Sequence, residues 1–252
     1  MGFLSVIELS AGELTFGFVL VFAAGIIRGF AGFGMSAIIV LSLTLVLPPV
    51  QIVPMALMME VAASLRLLAK VRGDINWVLA RRLFLGSLLG APAGVYVLSS
   101  LPEDTLRAGL SLFVLGISLL LWSGRADGLR PNALNTTLTG VFSGFANGAA
   151  SFGGQPVALF MAAASIAAAQ ARSTMILLTF FTDSYASGLA AYQGLVSPGV
   201  AGRAALFLIP MFAGIAIGSG AFHRADQRSY RRFVLLLLMG LAVAGLIRTI
   251  AG

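Results

Sequence analysis

RGFAGFGMS, residues 28–36, and NGAASFGGQP, residues 147–156, are the two stretches on which the fold turns. Each lies inside an apolar run too long to be one membrane helix: 14–47 holds 34 residues and 134–169 holds 36. At 1.5 Å per residue either would reach about 50 Å as a single helix, against a hydrocarbon core of about 30 Å. Each run must break, and glycine, which weakens a helix interior, gathers at these two stretches. Each is therefore read as two helical segments flanking a glycine-rich junction. If the chain dips into the membrane and returns at each break, the next helix begins near Ser36 in one run and near Gln155-Pro156 in the other. Pro156 suits a first helical turn, and Ser36 suits a cap.

Six single apolar spans surround the broken runs, at 50–69, 83–98, 105–122, 174–192, 203–222 and 232–250. The composition agrees. Of 252 residues, 59% are hydrophobic and only 10% charged, where about 25% charged is usual in a soluble domain. With a mean hydropathy of +0.99, a water-soluble fold is excluded, and the spans leave no room for a folded extramembrane domain. There is no cysteine and one histidine, His223, so thiolate metal sites, iron–sulfur clusters and histidine-ligated haem lack ligands. No cofactor or metal is expected. The net charge of +7 does not indicate nucleic acid, because the basic residues sit in short loops between apolar runs, where they set topology. No Lys or Arg precedes Arg28, so the positive n-region of a signal peptide is missing and the first segment is read as retained.

The two breaks also expose an internal repeat. Gly25, Gly29, Phe33 and Gly34 match Gly144, Gly148, Phe152 and Gly153 at a shift of 119, and the shift drifts to 121–124 further along. One broken run followed by three plain spans recurs in each half, giving repeats at 1–124 and 134–252 joined by a loop at 125–133. Lys70, Arg72, Arg81, Arg82, Arg125, Arg130, Arg172, Arg224, Arg228, Arg231 and Arg232 are eleven of the sixteen basic residues, and their loops are placed in the cytoplasm. The loop with Glu103 and Asp104 then falls outside. The first half starts outside and the second inside, so the fold expected is an all-α polytopic membrane protein of two inverted-topology repeats.

Broken segments at matching places in inverted repeats point to a midplane binding site. The two helix N-termini would present free N–H groups and positive dipole ends to one volume, which favours an anion. Arg28 adds a full charge and a fork of donors suited to oxyanions, and its repeat equivalent is the neutral Asn147. The candidate substrate-binding set is Arg28, Gly32, Phe33, Gly34, Ser36, Asn147, Ser151, Phe152, Gly153, Gly154 and Gln155. The plainer reading of the glycines is close helix packing, and of Arg28, snorkelling. Arg66, four residues from Lys70, is read as snorkelling. Glu60 and Asp183 are acids within spans, 123 residues apart. A charged acid in the bilayer costs about 2.5 kcal/mol or more and marks a proton or ion pathway, or a paired charge. Proton coupling is the first reading, an ion pair with Arg28 the second, and contact with a substrate cation the third.

GFAGFGMS (29–36), GAASFGGQP (148–156) and GDINW (73–77) together resemble the sulfite exporter TauE/SafE family, over essentially the whole chain. The first copy departs from that family's run of glycines at Gly34-Met35-Ser36, while Gly153-Gly154 keeps closer to it. The resemblance implies export or exchange of small sulfur-containing oxyanions, such as sulfite or organosulfonates, across a bacterial inner membrane. The expectation is a proton-coupled secondary transporter working by alternating access, with a small anion and the lipid bilayer as partners and a homodimer left open. A passive anion channel is the alternative, since helix dipoles serve a channel as well. The acids and His223 form no recognisable catalytic cluster, so an enzyme is not expected.

Overall fold

The computed structural model describes residues 10–44, 47–69, 74–102 and 129–222, with isolated positions within 105–116 and 226–243. Among the described residues there are eight α-helices and no strand: α1 Ala11–Ala31, α2 Met35–Leu43, α3 Pro49–Leu68, α4 Trp77–Ser100, α5 Ala133–Ala150, α6 Gly154–Ala163, α7 Ala168–Tyr192 and α8 Pro198–Phe222. Of these, α1, α3, α4 and α8 are long and apolar enough to cross a membrane, and the protein is a multi-pass membrane protein. The expected spans 105–122 and 232–250, and the charges Lys70, Arg72, Glu103, Asp104, Arg125, His223, Arg224, Arg228, Arg231 and Arg232, lie outside the described residues, apart from isolated positions in those spans.

Both long runs break where glycine gathers. The first ends at Ala31, where Gly32 turns left-handed (φ +82°) and gives its N–H to the Arg28 carbonyl; Gly34 follows at φ +93°. The second ends at Ala150, where Ser151 (φ +59°) plays the same part for the Asn147 carbonyl at 2.7 Å. Gly32 and Ser151 are 119 residues apart, so the repeat extends to the left-handed turn itself. Ser36 is not the cap: α2 starts at Met35 with Gly34 as N-cap and no side-chain cap bond. The left-handed glycine already turns the chain, and Ser36 falls one residue inside the helix.

Two helix starts differ from the expected loops. Asn76 caps α4 by accepting the Leu79 N–H at 3.0 Å, which brings Arg81 and Arg82 into the first turns of α4 instead of a loop. Similarly α7 begins at Ala168, so Arg172 is not a loop charge: it is buried inside α7. The alanine-rich stretch before Arg172 favours helix, and the guanidinium finds partners there, giving bonds to the carbonyls of Phe30 (3.1 Å) and Gly29 (2.6 Å) at the end of α1 and stacking over the Phe222 ring at 4.3 Å. Arg66 is exposed in the last turn of α3, 5.0 Å over the Phe212 ring, as snorkelling requires.

The glycines outside the breaks pack helices against one another. α1 lies along α8 and α5 along α4, and in both pairs the backbones touch. A Cβ on Gly25 would fall on the Met211 carbonyl and one on Gly29 on that of Ile215, while Gly214 and Gly218 face the carbonyls of Phe22 and Ile26. In the other pair Gly144 faces Ser87, Gly148 faces Ala91, Gly90 faces Val141 and Gly94 faces Phe145. The second pattern is the first with the halves exchanged, at shifts of 119 on the first helix and 124 on the fourth. Residue numbers rise together in each contact, so α1 runs parallel to α8 and α5 parallel to α4. Without a hydrophobic drive between helices in lipid, such backbone approach is what holds them. The packing reading is thus right for these glycines.

At the centre α3 packs on α7. One apolar cluster joins α1, α2, α3 and α8 residues such as Val21, Ile39, Met55 and Met211, and takes in Phe152 from the second break. The other gathers Val157, Phe160, Met161 and Met175 around Phe33 from the first break. Each break thus sends its phenylalanine into the core built mainly by the opposite half.

Candidate functional site

The two breaks meet. The Ser36 hydroxyl donates to the Ser151 carbonyl at 2.6 Å, and a Cβ on Gly154 would stand 3.1 Å from that of Phe33. Stretches separated by over a hundred residues therefore form one buried junction, between α3 and α7.

In the first half a cation, an acid and a helix start are linked in series. Arg28, fully buried in the last turn of α1, three residues before its end, sets its Nε 2.7 Å from Oε2 of Glu60 on α3. Its Nη2 donates to Ser64 Oγ at 2.5 Å and to Thr179 Oγ1 at 2.8 Å. Glu60 Oε1 accepts the Ser36 N–H at 3.1 Å, so this carboxylate sits on the start of α2, where N–H groups lack intrahelical partners and the dipole favours negative charge. Arg28 Nη1 has no hydrogen-bond partner among the described residues.

The second half repeats the arrangement with one charge fewer. Asn147, at the Arg28 position, donates through Nδ2 to Asp183 Oδ1 at 2.7 Å and accepts the Gly153 N–H at 3.3 Å. Ser143 Oγ ties the same turn by donating to the Gly153 carbonyl at 2.7 Å. Three polar groups here are buried without hydrogen-bond partners among the described residues: Asp183 Oδ2, Ser151 Oγ and both amide atoms of Gln155. A buried polar group left unbonded costs about 1–3 kcal/mol, and these groups gather at the second break. The halves join through the Ser64 and Thr179 hydroxyls, 3.1 Å apart, and Asp183 lies within electrostatic reach of both Glu60 and Arg28.

Each expected site residue can now be placed. Arg28, Ser36, Glu60, Asn147, Ser151, Gly153 and Asp183 join the polar network, and Gln155 lies buried at the start of α6. Gly32 and Gly34 serve as left-handed turns, and Gly154 gives room beside Phe33. Phe33 and Phe152, 1% and 0% exposed, are buried at the two breaks. Of the readings open for Arg28, snorkelling fails because no part of it is exposed; the ion pair with Glu60 is present. Ser64, Ser143, Arg172 and Thr179 were not among the expected site residues. Ser64 lies one turn after Glu60 as Thr179 lies one turn before Asp183, and that helical spacing is the signal that could have found the pair.

In chemical terms the junction holds an oxyanion: a carboxylate lies between a guanidinium and a helix start, which are the donors a small external anion would use. Residues 17–245 match the family model described as "Sulfite exporter TauE/SafE". No curated protein and no solved structure matches the chain.

Proposed function

The chain belongs to the TauE/SafE sulfite exporter family, and on that premise we propose that it is a secondary transporter of a small sulfur-containing oxyanion, sulfite or an organosulfonate, across the bacterial inner membrane. The observation that carries this is the meeting of the two breaks around Arg28, with its fully buried guanidinium beside the start of α2. The anion binds there, held by Arg28, by N–H groups at the starts of α2 and α6, and by Ser36, Ser151, Asn147 and Gln155. Glu60 and Asp183 are the proton-exchanging carboxyls, since acids inside a membrane protein mark proton pathways when they face a polar interior.

Alternating access rests on two inverted repeats, 1–124 and 134–252, joined by a cytoplasmic loop at 125–133. Helix directions support this. α3 runs parallel to α8, since Gln51 meets Arg203 (2.6 Å) and Arg66 meets Phe212; α8 in turn runs parallel to α1. α2 runs against α3, because its start touches Glu60 while its end leads into Pro49. The chain therefore enters along α1 and returns along α2. α4 and α7 are parallel through the Asn76–Thr174 and Phe84–Phe181 contacts, which is the α8–α3 pairing with the halves exchanged. A carrier is favoured over a channel because buried pairs such as Arg28–Glu60 can exchange partners between two states, while a channel needs no titratable pair.

The test is a binding screen of the purified protein against sulfite, sulfate, sulfonates, carboxylates and halides. A hit confined to sulfur oxyanions, and lost in Arg28→Gln/Glu60→Gln, is expected. Binding that survives in that double variant removes Arg28 from the site.

A further inference from the structure

Glu60 is bonded as a substrate would be. One carboxylate oxygen accepts the Ser36 N–H at the start of α2 and the other lies 2.7 Å from Arg28 Nε. An XO₂ edge of a sulfite or sulfonate presents two oxygens in the same manner and would ask for the same two donors. A second anion cannot join the first there: two negative groups in one buried place repel, and neither would be fully bonded. Glu60 is 3% exposed, so its charge is not dispersed into water when it is displaced.

We infer that the Glu60 carboxylate is a resident anion in the substrate's own seat, so that an external oxyanion enters only as Glu60 takes up a proton and swings off Arg28 and the α2 start. The proton is drawn from the buffered solvent and resides on a Glu60 carboxyl oxygen; an anion bound in singly charged form, hydrogensulfite or a sulfonate, replaces its charge beside Arg28, and the net charge of the site is unchanged. One proton thus accompanies each anion. Among the described residues the charged groups around Glu60 are Arg28 from α1 and Asp183 from α7. From α2 the neutral Ser36 faces it, and Arg203 of α8 is engaged with Gln51, nine positions from Glu60 on α3. Asp183 is held by Asn147 in the other half, which leaves Glu60 as the acid whose ionised form and the substrate exclude each other. Arg28 Nη1, buried and without a hydrogen-bond partner among the described residues, supplies the donor for the third oxygen that a sulfite or sulfonate has and a carboxylate lacks.

This inference rests on the anion-carrier reading above, and one calorimetric experiment separates the two. Sulfite and methanesulfonate are titrated into the full-length protein in buffers of different ionisation enthalpy, from about pH 5 to pH 9. Protons taken up per anion are counted from the difference in heat, after subtraction of sulfite's own protonation. Wild type should take up close to one proton per anion where Glu60 is ionised, with affinity falling about tenfold per pH unit there. Glu60→Gln should bind with no proton uptake and no pH dependence. Wild-type binding without proton uptake, or one proton still taken up by Glu60→Gln, overturns the inference and leaves the carrier standing; no binding of either anion by wild type at any pH brings down both. The wild-type count needs no variant, so it decides the matter even if Glu60→Gln does not fold.

Discussion

The Arg28–Glu60 pair should be worth several kilocalories per mole, and a double-mutant cycle measures it. Arg28→Gln strands a carboxylate that is 3% exposed, and removing one partner of a buried ion pair costs about 3–5 kcal/mol. The hydrogen bonds lost to Ser64 and Thr179 add little. These hydroxyls lie 3.1 Å apart, and Thr179 Oγ1 also bonds the Met175 and Ile176 carbonyls, at 2.9 and 3.2 Å, so neither is orphaned; hydrogen bonds in membrane proteins average about 0.6 kcal/mol. Glu60→Gln strands the guanidinium and should cost a comparable amount. The double variant carries neither charge and loses only neutral bonds, about 1–2 kcal/mol. Its cost should therefore fall short of the sum of the singles by about 3 kcal/mol or more. Unfolding of the four proteins in mixed micelles, followed by circular dichroism without added anion, gives the three differences. Additive singles, with coupling under about 0.5 kcal/mol, would refute the view that Arg28 and Glu60 neutralise one another.

Close packing predicts a contrast among glycines. A Cβ on Gly90 would fall on the Val141 carbonyl, whereas one on Gly188 meets nothing within 4 Å. Gly90→Val should force α4 and α5 apart and cost at least about 1–3 kcal/mol, while Gly188→Ala should stabilise by about 0.5–1 kcal/mol; like effects in the same unfolding assay would dismiss the glycine interface. The natural chain has no cysteine, so a single introduced thiol reports sidedness. A membrane-impermeant maleimide applied from outside should label Gln193→Cys, after α7, and spare Pro131→Cys, before α5, until the membrane is permeabilised. The reverse pattern turns the molecule over, and equal labelling from one side defeats the inverted repeat.

The sequence by itself determined that this chain lives in a membrane, where its two long runs must break, and that the breaks recur with a shift of 119 residues. These follow from local quantities: apolar length against bilayer thickness, and glycine's weakness in a helix interior. The same reasoning found Arg28, Glu60, Asn147 and Asp183, because a polar side chain inside an apolar run is conspicuous without any knowledge of its partner. It mistook Arg172 for a loop charge, since nothing local shows that the carbonyls of Gly29 and Phe30 wait for it at the end of α1. Nor could it choose between packing and binding for the glycines. Only the tertiary structure shows which of them pack, because whether a glycine is needed for packing depends on the backbone that approaches it from another helix. Pairing likewise belongs to the fold: that Glu60 lies on Arg28 and Ser36, that Asp183 lies on Asn147, and that Ser36 reaches Ser151 are all contacts across long stretches of sequence. Charge type can be read along a chain, but the partner that neutralises a buried charge is fixed by distance in space, and those distances arise only when the helices pack.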